Sequence, residues 1–428
     1  MTERLRAEHP IWVIGAGPGA EDQLTPAARA ALARAGCVVA AARHAGLAGA
    51  HPNVIPLKSI PETLDRVERE LERGSAAFLV SGDPGIYSLL PVLKKRWPGR
   101  ALRVLPGIGS LQSLCAAAGE TWDDAAILSG HGKPLSAARF LSTAERRRLT
   151  VLFCGGDRSP RWACEALAGA VGGLGSRVEV VVGERLSYPD ERVTRGAPAD
   201  LAGRDFDPLS LTLVCNAEPW TPPFGRPRDA DFERGETPMT REEVRSVILD
   251  RLELRPGAVF WDIGAGTGSV SAAAALACPE AEVHAVECDP AALALLDRNR
   301  ERFRLHNMAI HPGRALSVLD ALPNPTHVFV GGSGGELSEL LLRLLYLLRL
   351  SRLSRLSRLP RPSVRDGAVR VVVSAVTLQT LSEAVTAMSG PGYRELEAVQ
   401  LAVSASRPLG RSLLMTARNP VTLLCAWC

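Results

Sequence analysis

A strand-like run followed by three alternating glycines constrains the fold of this 428-residue chain more than any other feature. Residues 259–263 (VFWDI) form a short apolar run, and residues 264–269 (GAGTGS) follow directly. A buried strand that enters a glycine turn and then a helix is the opening unit of an α/β domain. Glycine allows a tight turn and a close approach to a ligand, and a helix N-terminus offers free amides. The segment therefore predicts a ligand-binding turn within a largely parallel sheet.

The spacing of these glycines restricts the ligand. A dinucleotide loop has the pattern G-x-G-x-x-G, whereas residues 264–268 read G-x-G-x-G, with Asp262 two positions before the first glycine. The next strand-like run ends in Glu287, where an acid can accept hydrogen bonds from both hydroxyls of a ribose. A plain tight turn is the alternative for the loop, and Glu287 weighs against it. The pattern resembles the first motif of the class I methyltransferases, which use S-adenosylmethionine.

A second strand-to-glycine segment lies near the amino terminus. Residues 11–14 (IWVI) are apolar and lead into residues 15–19 (GAGPG). Pro18 removes a backbone amide that a phosphate cradle would use, so this segment does not predict a nucleotide-phosphate loop. Residues 218–229, which separate the two segments, are rich in proline and charge, and that is a linker composition. The predicted organisation is a first domain over residues 1–218, a linker over 219–235 and a second domain over 236–428.

Both domains alternate strand-like and helix-like runs, which predicts the α/β class. In the second domain five alternating units end in two late strands with a short connection. That arrangement predicts a doubly wound sheet with a reversed edge strand. The predicted strands are 11–14, 36–41, 76–81, 102–105, 149–154, 177–183 and 209–215 in the first domain, and 258–263, 282–287, 307–311, 326–331, 367–374, 396–404 and 412–425 in the second.

Composition and charge weigh against several classes of protein. The formal net charge of +4 is too small to predict a nucleic-acid partner. The nine cysteines are scattered, and the pair at Cys425 and Cys428 lacks a second half, so no disulfide framework and no metal site is predicted. The first ten residues lack an apolar secretion core, and the leucine-rich run 337–350 is too short and too charged to span a bilayer. We expect a cytoplasmic protein with no membrane partner.

An arginine-leucine repeat follows the leucine-rich run. From Arg349 to Leu359 an arginine-leucine pair recurs every three residues, a period that matches neither a helix nor a strand. We interpret the repeat as a low-complexity expansion on the surface, with a basic binding stripe as the alternative.

The first domain contains four glycine-containing motifs. Each motif alone is a weak signal, but the four in this order are specific. Residues 15–19 are followed by 81–87 (SGDPGIY), 106–110 (PGIGS) and 129–132 (SGHG). Together they resemble the tetrapyrrole methylase family over about residues 10–216. The resemblance implies the tetrapyrrole methylase fold and a cleft for S-adenosylmethionine. The residues that it places in this cleft are Pro18, Ser81, Gly82, Asp83, Ile86, Gly109, Ser110 and Cys154.

The second domain resembles a different family, the decarboxylating precorrin methyltransferases. The motifs are residues 237–244 (TPMTREEV), the glycine loop, residues 331–336 (GGSGGE) and residues 418–421 (RNPV). This resemblance implies a class I methyltransferase fold, a Rossmann-like doubly wound sheet, with a second S-adenosylmethionine site. The residues that it places there are Thr240, Gly264, Ala265, Gly266, Thr267, Gly268, Glu287 and Ala315.

The two resemblances together imply a fusion enzyme of cobalamin biosynthesis with two S-adenosylmethionine sites. The implied reaction is methylation of a precorrin, a small-molecule tetrapyrrole, at carbon 5 in the first domain and at carbon 15 in the second. Carbon dioxide is lost from the acetate at carbon 12. The macrocycle brings its own carbon nucleophiles and its own electron sink, so catalysis would rest on alignment, and no catalytic residue is assigned.

The carboxylates of such a substrate call for cationic or amide partners. Arg407 and Arg411, between the two late strands, are candidates because arginine pairs with carboxylates bidentately. Solvated surface arginines are the alternative. A glycine nest can also bind a carboxylate, with a flexible turn as its alternative. The nest residues are Gly331, Gly332, Ser333, Gly334 and Gly335.

Two positions depart from the family patterns. Gly109 stands where serine or threonine is common, so a hydroxyl contact to the cofactor is not expected there. Arg314 stands where the related pattern has aspartate, which leaves the Ala315 amide as the contact to the adenine. His131 belongs to a family motif, and we expect it to make a structural hydrogen bond.

Two other functions stay open on the sequence alone. One is methylation of another substrate such as RNA, and the other is a non-catalytic nucleotide-binding regulator. Enzymes that methylate amino groups of bases usually carry Asn or Asp, two prolines and an aromatic residue where this chain has the glycines of 331–335, which argues against RNA. Tight binding of S-adenosylmethionine without turnover would indicate a regulator. We also expect a homo-oligomer.

Overall fold

Two compact units divide the chain. The computed structural model describes residues 9–131, 135–222, 226–355 and 368–428, with the backbone alone for 351–355. The first unit comprises the described residues up to Leu135 together with Arg147–Ala168 and Gly175–Glu218, and the second comprises Ser136–Arg146, Gly169–Leu174 and Pro219–Cys428.

The first sheet of the first unit is fully parallel, in the order β3-β2-β4-β1-β5. Helices cover both faces, which is why the inner strands β1, β2 and β4 are apolar and buried, whereas the edge strand β5 contains the exposed Arg103. Parallel strands bring their carboxyl ends to one edge, so the glycine motifs that follow β1, β4 and β5 meet there. The elements are β1 (Ile11–Gly15), β2 (Cys37–Ala40), β3 (Val54–Pro56), β4 (Ala76–Val80), β5 (Leu102–Leu105), α1 (Pro26–Arg34), α2 (Ile60–Glu70) and α3 (Leu90–Arg96).

The second sheet contains β6 (Ala126–Ser129), β7 (Leu149–Phe153), β8 (Val178–Glu184), β9 (Arg192–Gly196) and β10 (Ser210–Asn216). Its order is β6-β7-β10-β8-β9, and only the β6–β7 pair is parallel among the described strands. Helix α4 (Ser110–Ala118) packs against this sheet through Leu111 and Leu114. The other helices encoded here are α5 (Ala137–Arg146), α6 (Pro160–Ala168), α7 (Leu174–Arg177) and α8 (Pro198–Leu201).

Three strands of the first unit were absent from the sequence prediction, namely β3, β6 and β9. Strand β3 has only three residues, and β6 has four. Strand β9 (RVTRG) is a polar edge strand with no buried residue, so it carries no hydrophobic periodicity. The prediction rested on apolar runs and could not detect these strands.

The second unit is built on a seven-stranded sheet in the order β13-β12-β11-β14-β15-β19-β16. Its strands are β11 (Val259–Ile263), β12 (Glu282–Glu287), β13 (Met308–Pro312), β14 (His327–Val330), β15 (Arg370–Ala375), β16 (Arg394–Leu401) and β19 (Val421–Trp427). Its helices are α9 (Glu242–Leu252), α10 (Ser269–Ala277), α11 (Pro290–Arg302), α12 (Ala315–Val318), α13 (Leu337–Arg355) and α14 (Leu378–Met388). The doubly wound sheet was predicted, and α/β is the class of both units.

The position of the reversed strand was predicted wrongly. Strand β19 runs antiparallel to both of its neighbours and lies between β15 and β16, so the reversed strand is internal and not at the edge. Along the chain, β16 comes first and occupies the edge of the sheet, and β19 follows and lies beside β15. Strand β19 is buried over most of its length, as an internal position requires.

The two late strands of the prediction are four strands in the structure. The run predicted at 412–425 is broken by residues 418–420, which include a proline that cannot donate to a ladder. An exposed hairpin of β17 (Ser404–Leu409) and β18 (Ser412–Ala417) forms a separate two-stranded sheet before that break.

Helix α5 lies in the second unit although the chain encodes it between β6 and β7. Its Glu145 is buried and accepts hydrogen bonds from Arg304 at 2.9 Å and from His306 at 3.0 Å. Phe232, from the segment predicted as a linker, is also buried in this unit and packs edge-on against Phe303 at 4.9 Å.

The start of the arginine-leucine repeat is helical. Residues 349–355 continue helix α13, which differs from the prediction that the repeat fits no regular element. The remainder of the repeat lies outside the described residues. Within the described ranges no helix is long and apolar enough to cross a membrane.

Candidate functional sites

Three loops of the first unit meet at glycines at the carboxyl edge of the parallel sheet. A Cβ on Gly15 would lie 2.5 Å from the Gly107 nitrogen and 2.6 Å from the Gly82 oxygen, so any side chain there would push the loops apart. The Gly82 amide donates to the Gly17 carbonyl at 2.8 Å, which joins the loops after β1 and β4. The motifs after β1, β4 and β5, which are separate in sequence, therefore form one surface.

Asp83 connects two of these loops through its carboxylate. Oδ1 accepts from the amide of Gly85 at 2.7 Å, and Oδ2 accepts from the amide of Gly107 at 3.2 Å. The carboxylate thus shapes its own turn and fixes the loop after β5.

The loops border a cavity of about 420 Å³, which we call the first-unit cavity. A cavity of this size lies in the range of small-molecule sites, so it can accommodate a nucleoside-sized ligand. All eight residues predicted for the N-terminal cleft line it, together with His131, but their contact with a ligand stays a prediction. The eight are Pro18, Ser81, Gly82, Asp83, Ile86, Gly109, Ser110 and Cys154.

Arg43 also lines the cavity, and the sequence analysis did not single it out. Its Nη2 donates to Ser81 Oγ at 2.5 Å, and its Nε donates to His44 Nε2 at 3.2 Å. Burial first and the charge of Arg43 second lower the pKa of His44 to about 4, so the imidazole is neutral at pH 7. The signal in the sequence was an arginine-histidine pair three residues after a buried strand, at the ligand-binding edge of the sheet.

The place of the missing hydroxyl at Gly109 is taken by Gln112. The Gly109 amide donates to Gln112 Oε1 at 2.9 Å, and a Cβ on Gly109 would lie 2.5 Å from that oxygen. The side chain of Gln112 therefore occupies the space that serine or threonine would use.

Cys154 is a buried, neutral thiol. Burial raises its pKa to about 11, and its sulfur lies 3.3 Å from Thr212 Oγ1. A thiol in this state is a poor nucleophile, so Cys154 can shape the cavity wall but not attack a substrate.

His131 is exposed, and its backbone amide donates to Ser129 Oγ at 3.0 Å. Its ring lies against Gly155, where a Cβ would come within 2.3 Å of the ring. The structural hydrogen bond expected of this residue is made by its backbone.

The glycine loop of the second unit joins β11 to α10 in the predicted manner. Gly264, Gly266 and Gly268 all have positive φ, at 70°, 58° and 78°, a conformation that L side chains rarely adopt. A Cβ on Gly264 would lie 2.3 Å from the Gly332 oxygen. The alternating glycines are therefore required by the backbone itself and by the close approach of the loop after β14.

Glu287 ends β12 beside this loop. Its Oε2 accepts from the Gly266 amide at 2.8 Å, and its Oε1 accepts from the amides of Cys288 at 2.7 Å and Asp289 at 2.9 Å. A carboxylate has about four acceptor positions, so these bonds leave about one on Oε2 for a ligand hydroxyl.

Asp262 is the buried acid before the glycines. Burial raises its pKa to about 6, against the opposing effect of the hydrogen bond that the Ser271 hydroxyl donates to Oδ2. Its other oxygen has no partner within the described chain. Asp262 therefore fixes the start of helix α10 and does not line either of the cavities described next.

A small cavity of about 60 Å³, the second-unit cleft, lies beside Glu287 and the predicted residues Gly264 and Ala315. Arg314 Nη2 and Glu336 Oε1, both in its lining, form an ion pair at 3.3 Å. Arg314, which stands where the related pattern has aspartate, therefore places a cation in the cleft, and this cation is paired with Glu336 in the loop after β14.

A second cavity of about 250 Å³ adjoins residues 331–335 at the carboxyl ends of β14 and β15. We call it the glycine-loop cavity after these residues, which are distinct from the glycine loop of residues 264–268. Ser374, Val376 and Thr380 also line it and were not predicted. Among the described hydrogen bonds, the backbone amides of Ser333, Gly334 and Gly335 donate to no group of the chain. They are available to an anionic ligand group.

The other predicted residues of this unit line neither cavity. The Thr240 carbonyl accepts from Arg245 at 2.7 Å and from the Ser269 hydroxyl at 3.4 Å, next to the glycine loop. Thr267 is buried, and its hydroxyl has no partner within the described residues. Ala265, Gly266 and Gly268 belong to the loop backbone, and their contacts with a ligand stay predictions.

Arg407 and Arg411 lie on the exposed hairpin that the chain forms between β16 and β19. Arg407 lies in β17 and its Nε donates to Thr416 Oγ1 at 3.2 Å, and Arg411 lies in the turn. Neither lines a described cavity, so a substrate role for them stays a prediction. In the described part of the chain no group of three or more His, Cys, Asp or Glu side chains is placed to hold a metal ion.

Comparison with known families identifies both units. The profile of the tetrapyrrole (corrin/porphyrin) methylases matches residues 10–202, and the profile of the precorrin methyltransferase domain matches residues 231–358. These are the two folds that the sequence motifs resemble.

Some relatives match most of the chain and others match about half of it. The chain is 38% identical over 216 residues to a probable cobalt-precorrin-6B C(15)-methyltransferase (decarboxylating) of Pyrobaculum calidifontis, which covers 48% of this chain and 98% of that protein. A crystal structure of a precorrin-6Y C5,15-methyltransferase from Geobacter metallireducens GS-15 is 33% identical with a TM-score of 0.40, and covers 46% of this chain and 94% of that one. None of these names gives support to an RNA methyltransferase or a regulator.

One relative extends across both units. The precorrin-6Y C(5,15)-methyltransferase [decarboxylating] of a Sinorhizobium species is 31% identical over 338 residues, which cover 76% of this chain and 79% of that protein. Because this likeness includes both methyltransferase units, the chain belongs to the family of decarboxylating precorrin-6Y C(5,15)-methyltransferases.

Proposed function

We propose that this chain methylates a precorrin at carbons 5 and 15 and removes carbon dioxide from its carbon-12 acetate, with a separate S-adenosylmethionine site in each unit. The tetrapyrrole methylase domain (1–218) would serve carbon 5. After the linker (219–235), the class I domain (236–428) would serve carbon 15 and the decarboxylation. The observation that carries the proposal is that each unit has a cavity at the carboxyl edge of a sheet, bordered by the motifs of that unit's own family.

In the first unit, the chain's contribution is binding and alignment. The sulfonium of S-adenosylmethionine, when bound, supplies the methyl group. Asp83 holds the loops after β4 and β5 against each other, and this fixes the cavity in which the donor and the accepting carbon must be collinear. The neutral thiol of Cys154 and the ring of Phe153 add an apolar wall that excludes water.

In the second unit, the glycine loop and Glu287 would hold the ribose through one free acceptor position on Oε2. The Ala315 amide, at the start of α12, would face the adenine. The free amides of Ser333, Gly334 and Gly335 would take a substrate carboxylate in the glycine-loop cavity. Orientation of the carbon-12 acetate there would let its breaking bond overlap the conjugated ring that accepts the electrons.

We further propose that the chain forms a homo-oligomer through the exposed hairpin. Leu409, Leu413 and Met415 are 54%, 71% and 62% exposed there, and an exposed apolar patch of this kind marks an interaction surface. Sedimentation velocity of the full chain and of a Leu413→Glu variant tests this, and a monomeric wild type contradicts it.

Two measurements test the enzyme proposal. Calorimetric titration of the full chain with S-adenosylmethionine should give a stoichiometry near two. Mass spectrometry of an incubation with precorrin-6Y should show a product with two added methyl groups and one lost carbon dioxide. A stoichiometry near one with both units folded would contradict the two-site assignment, and an unchanged tetrapyrrole mass would contradict the activity.

A further inference from the structure

We propose that Arg43 anchors a substrate carboxylate at the first-unit cavity, and that Ser81 and His44 position its guanidinium. The inference deepens the proposed function, because it takes the polycarboxylate tetrapyrrole as the substrate of that cavity.

The guanidinium of Arg43 is only partly used by the chain. Its Nη2 donates to Ser81 Oγ and its Nε donates to His44 Nε2. A guanidinium has five N–H donors, so three stay free: two on Nη1 and one on Nη2. Donors on the two terminal nitrogens are the pair that grips a carboxylate bidentately, and this gives a planar anchor for one side chain of the macrocycle.

The partners of Arg43 fix its direction without cancelling its charge. Ser81 Oγ lies 2.8 Å from His44 Nε2. The lowered pKa of His44 keeps the ring neutral, and with the ring proton on Nδ1 the Nε2 atom accepts the hydrogen bond from Arg43 Nε. Both partners are neutral at pH 7, and none of the ion pairs among the described residues involves Arg43. The positive charge therefore stays available to an anion.

The surroundings of Arg43 favour an anion from the ligand. Among the described lining residues it is the one side chain with a permanent positive charge, and the rest are largely apolar or hydroxyl-bearing. The nearby carboxylate of Asp83 is engaged by the amides of Gly85 and Gly107. Because His44 is 1% exposed, the base of this arrangement is rigid while Arg43 itself is exposed at the cavity.

The first test uses the full chain with Arg43→Ala and Arg43→Lys. Carbon-5 methylation is measured on a carbon-15-methylated precorrin, and S-adenosylmethionine affinity is measured by calorimetry. Loss of a bidentate charge-assisted pair should raise KM for the tetrapyrrole about 10- to 150-fold in Arg43→Ala, and less in Arg43→Lys. The dissociation constant of S-adenosylmethionine should change less than about 2-fold, because the lost interaction is with the other substrate. Guanidinium ion added to Arg43→Ala should restore part of the rate.

Arg66→Ala is the matched control. Arg66 is an exposed arginine of α2 in the same unit that lies outside the cavity lining, so its removal changes the net charge equally. Its KM should equal that of the wild type. A rise equal to that of Arg43→Ala would show long-range charge attraction in place of an anchor.

The positioning role of Ser81 is tested separately. At saturating S-adenosylmethionine, Ser81→Ala should raise KM for the tetrapyrrole about 3- to 10-fold, because a loosened guanidinium still carries its charge. Ser81 is also predicted to line the cofactor cleft, so the dissociation constant of S-adenosylmethionine is measured for the same variant. In the double variant with Arg43→Ala the two effects should not add, since Ser81 acts through Arg43. Full additivity would contradict the positioning role.

A binding probe separates this inference from the proposed function. Uroporphyrin, an octacarboxylate porphyrin, is titrated by tryptophan fluorescence quenching, with the tetracarboxylate coproporphyrin beside it. If the wild type fails to methylate carbon 5 but Arg43→Ala binds uroporphyrin at least about 10-fold more weakly, the activity is wrong and the anchor holds. If Arg43→Ala keeps wild-type KM and probe affinity, or loses S-adenosylmethionine affinity instead, the anchor is overturned.

Discussion

Glu287 Oε2 accepts a hydrogen bond from the backbone amide of Gly266 at 2.8 Å, so the acid at the end of β12 holds the glycine loop that follows β11. The two strands are neighbours in the sheet, which brings their carboxyl ends together. One side chain therefore shapes the loop and faces the second-unit cleft. A substitution at Glu287 acts on both.

We expect Glu287→Ala to weaken S-adenosylmethionine binding at the second unit alone. A charge-assisted hydrogen bond contributes roughly 1.5–3 kcal/mol, so the local dissociation constant should rise about 10- to 150-fold. Carbon-15 methylation and decarboxylation should both fall, as followed by mass spectrometry. Carbon-5 methylation of a carbon-15-methylated substrate should persist, since its site lies in the other unit.

Two further variants sharpen that test. Glu287→Gln keeps the shape but places an amide donor opposite backbone donors, so it should impair binding nearly as much as alanine. Glu282→Ala, at the start of the same strand, should leave binding unchanged. Equal loss of carbon-5 activity in Glu287→Ala would refute the two-site division.

Gly264→Ala should disable the second unit through sterics and strain. At φ +70° an L residue is strained by about 1–2 kcal/mol, and its Cβ would lie 2.3 Å from the Gly332 oxygen. Overpacking adds about 1–3 kcal/mol. Gly257→Ala is the control, because Gly257 has φ +79° with open space around it and should suffer the strain alone. Gly264→Ala should therefore lower the unfolding temperature and the carbon-15 activity more than Gly257→Ala does. Equal effects of the two variants would show that the contact with Gly332 is unimportant.

The parts of the fold that the sequence predicts are those with strong apolar periodicity. Strand β11 and the glycine turn were predictable because the buried parallel strand is a largely apolar run and the turn needs φ values that glycine adopts. The polar edge strand β9 and the exposed hairpin β17–β18 lack that signal. The placement of β19 between β15 and β16 depends on which strands pair in the folded sheet, and no local sequence pattern encodes that pairing.

The same division applies to the first-unit cavity. Its glycine motifs were recognisable because their order is specific, and residues of all four motifs border the cavity. Arg43 and Gln112 were missed because their contacts exist only in the folded chain: Arg43 with Ser81 and His44, and Gln112 with the Gly109 amide. From the sequence alone, Arg43 and Gln112 cannot be distinguished from the other arginines and glutamines of the chain.

The ion pair between Arg314 and Glu336 should oppose entry of ligand into the second-unit cleft. The pair joins two lining residues at 3.3 Å, and the arginine is 64% exposed, so it contributes about 0.2–1 kcal/mol. Glu336→Gln should therefore raise S-adenosylmethionine affinity at this site about 1.5- to 5-fold, measured by calorimetry. Salt should raise the wild-type affinity and have little effect on the variant. Weaker binding in the variant would show that Glu336 itself contacts the ligand.

Buried histidines should make the second unit less stable in mild acid. Burial first, and His311 second, lower the pKa of His284 to about 4, and burial lowers that of His327 to about 4 as well. The unfolded chain takes up these protons near pH 6.5, well before the folded chain does. Their contribution to stability is therefore present above about pH 6.5 and is lost as the pH falls towards 4, at about 1.4 kcal/mol per pH unit for each histidine.

Replacement of one such histidine tests the sign and the size of this effect. Between pH 7 and pH 5, His284→Leu should lose about 2 kcal/mol less stability than the wild type, which corresponds to roughly 4–8 °C in the unfolding midpoint. Asp262 acts in the opposite direction, because its pKa is raised to about 6 and the folded state gains a proton first as the pH falls through that value. Asp262→Asn should therefore fall more steeply in stability between pH 7 and pH 5 than the wild type does. Parallel pH profiles for all three proteins would mean that neither buried group titrates differently in the folded chain, because only a difference between folded and unfolded pKa values couples protons to stability.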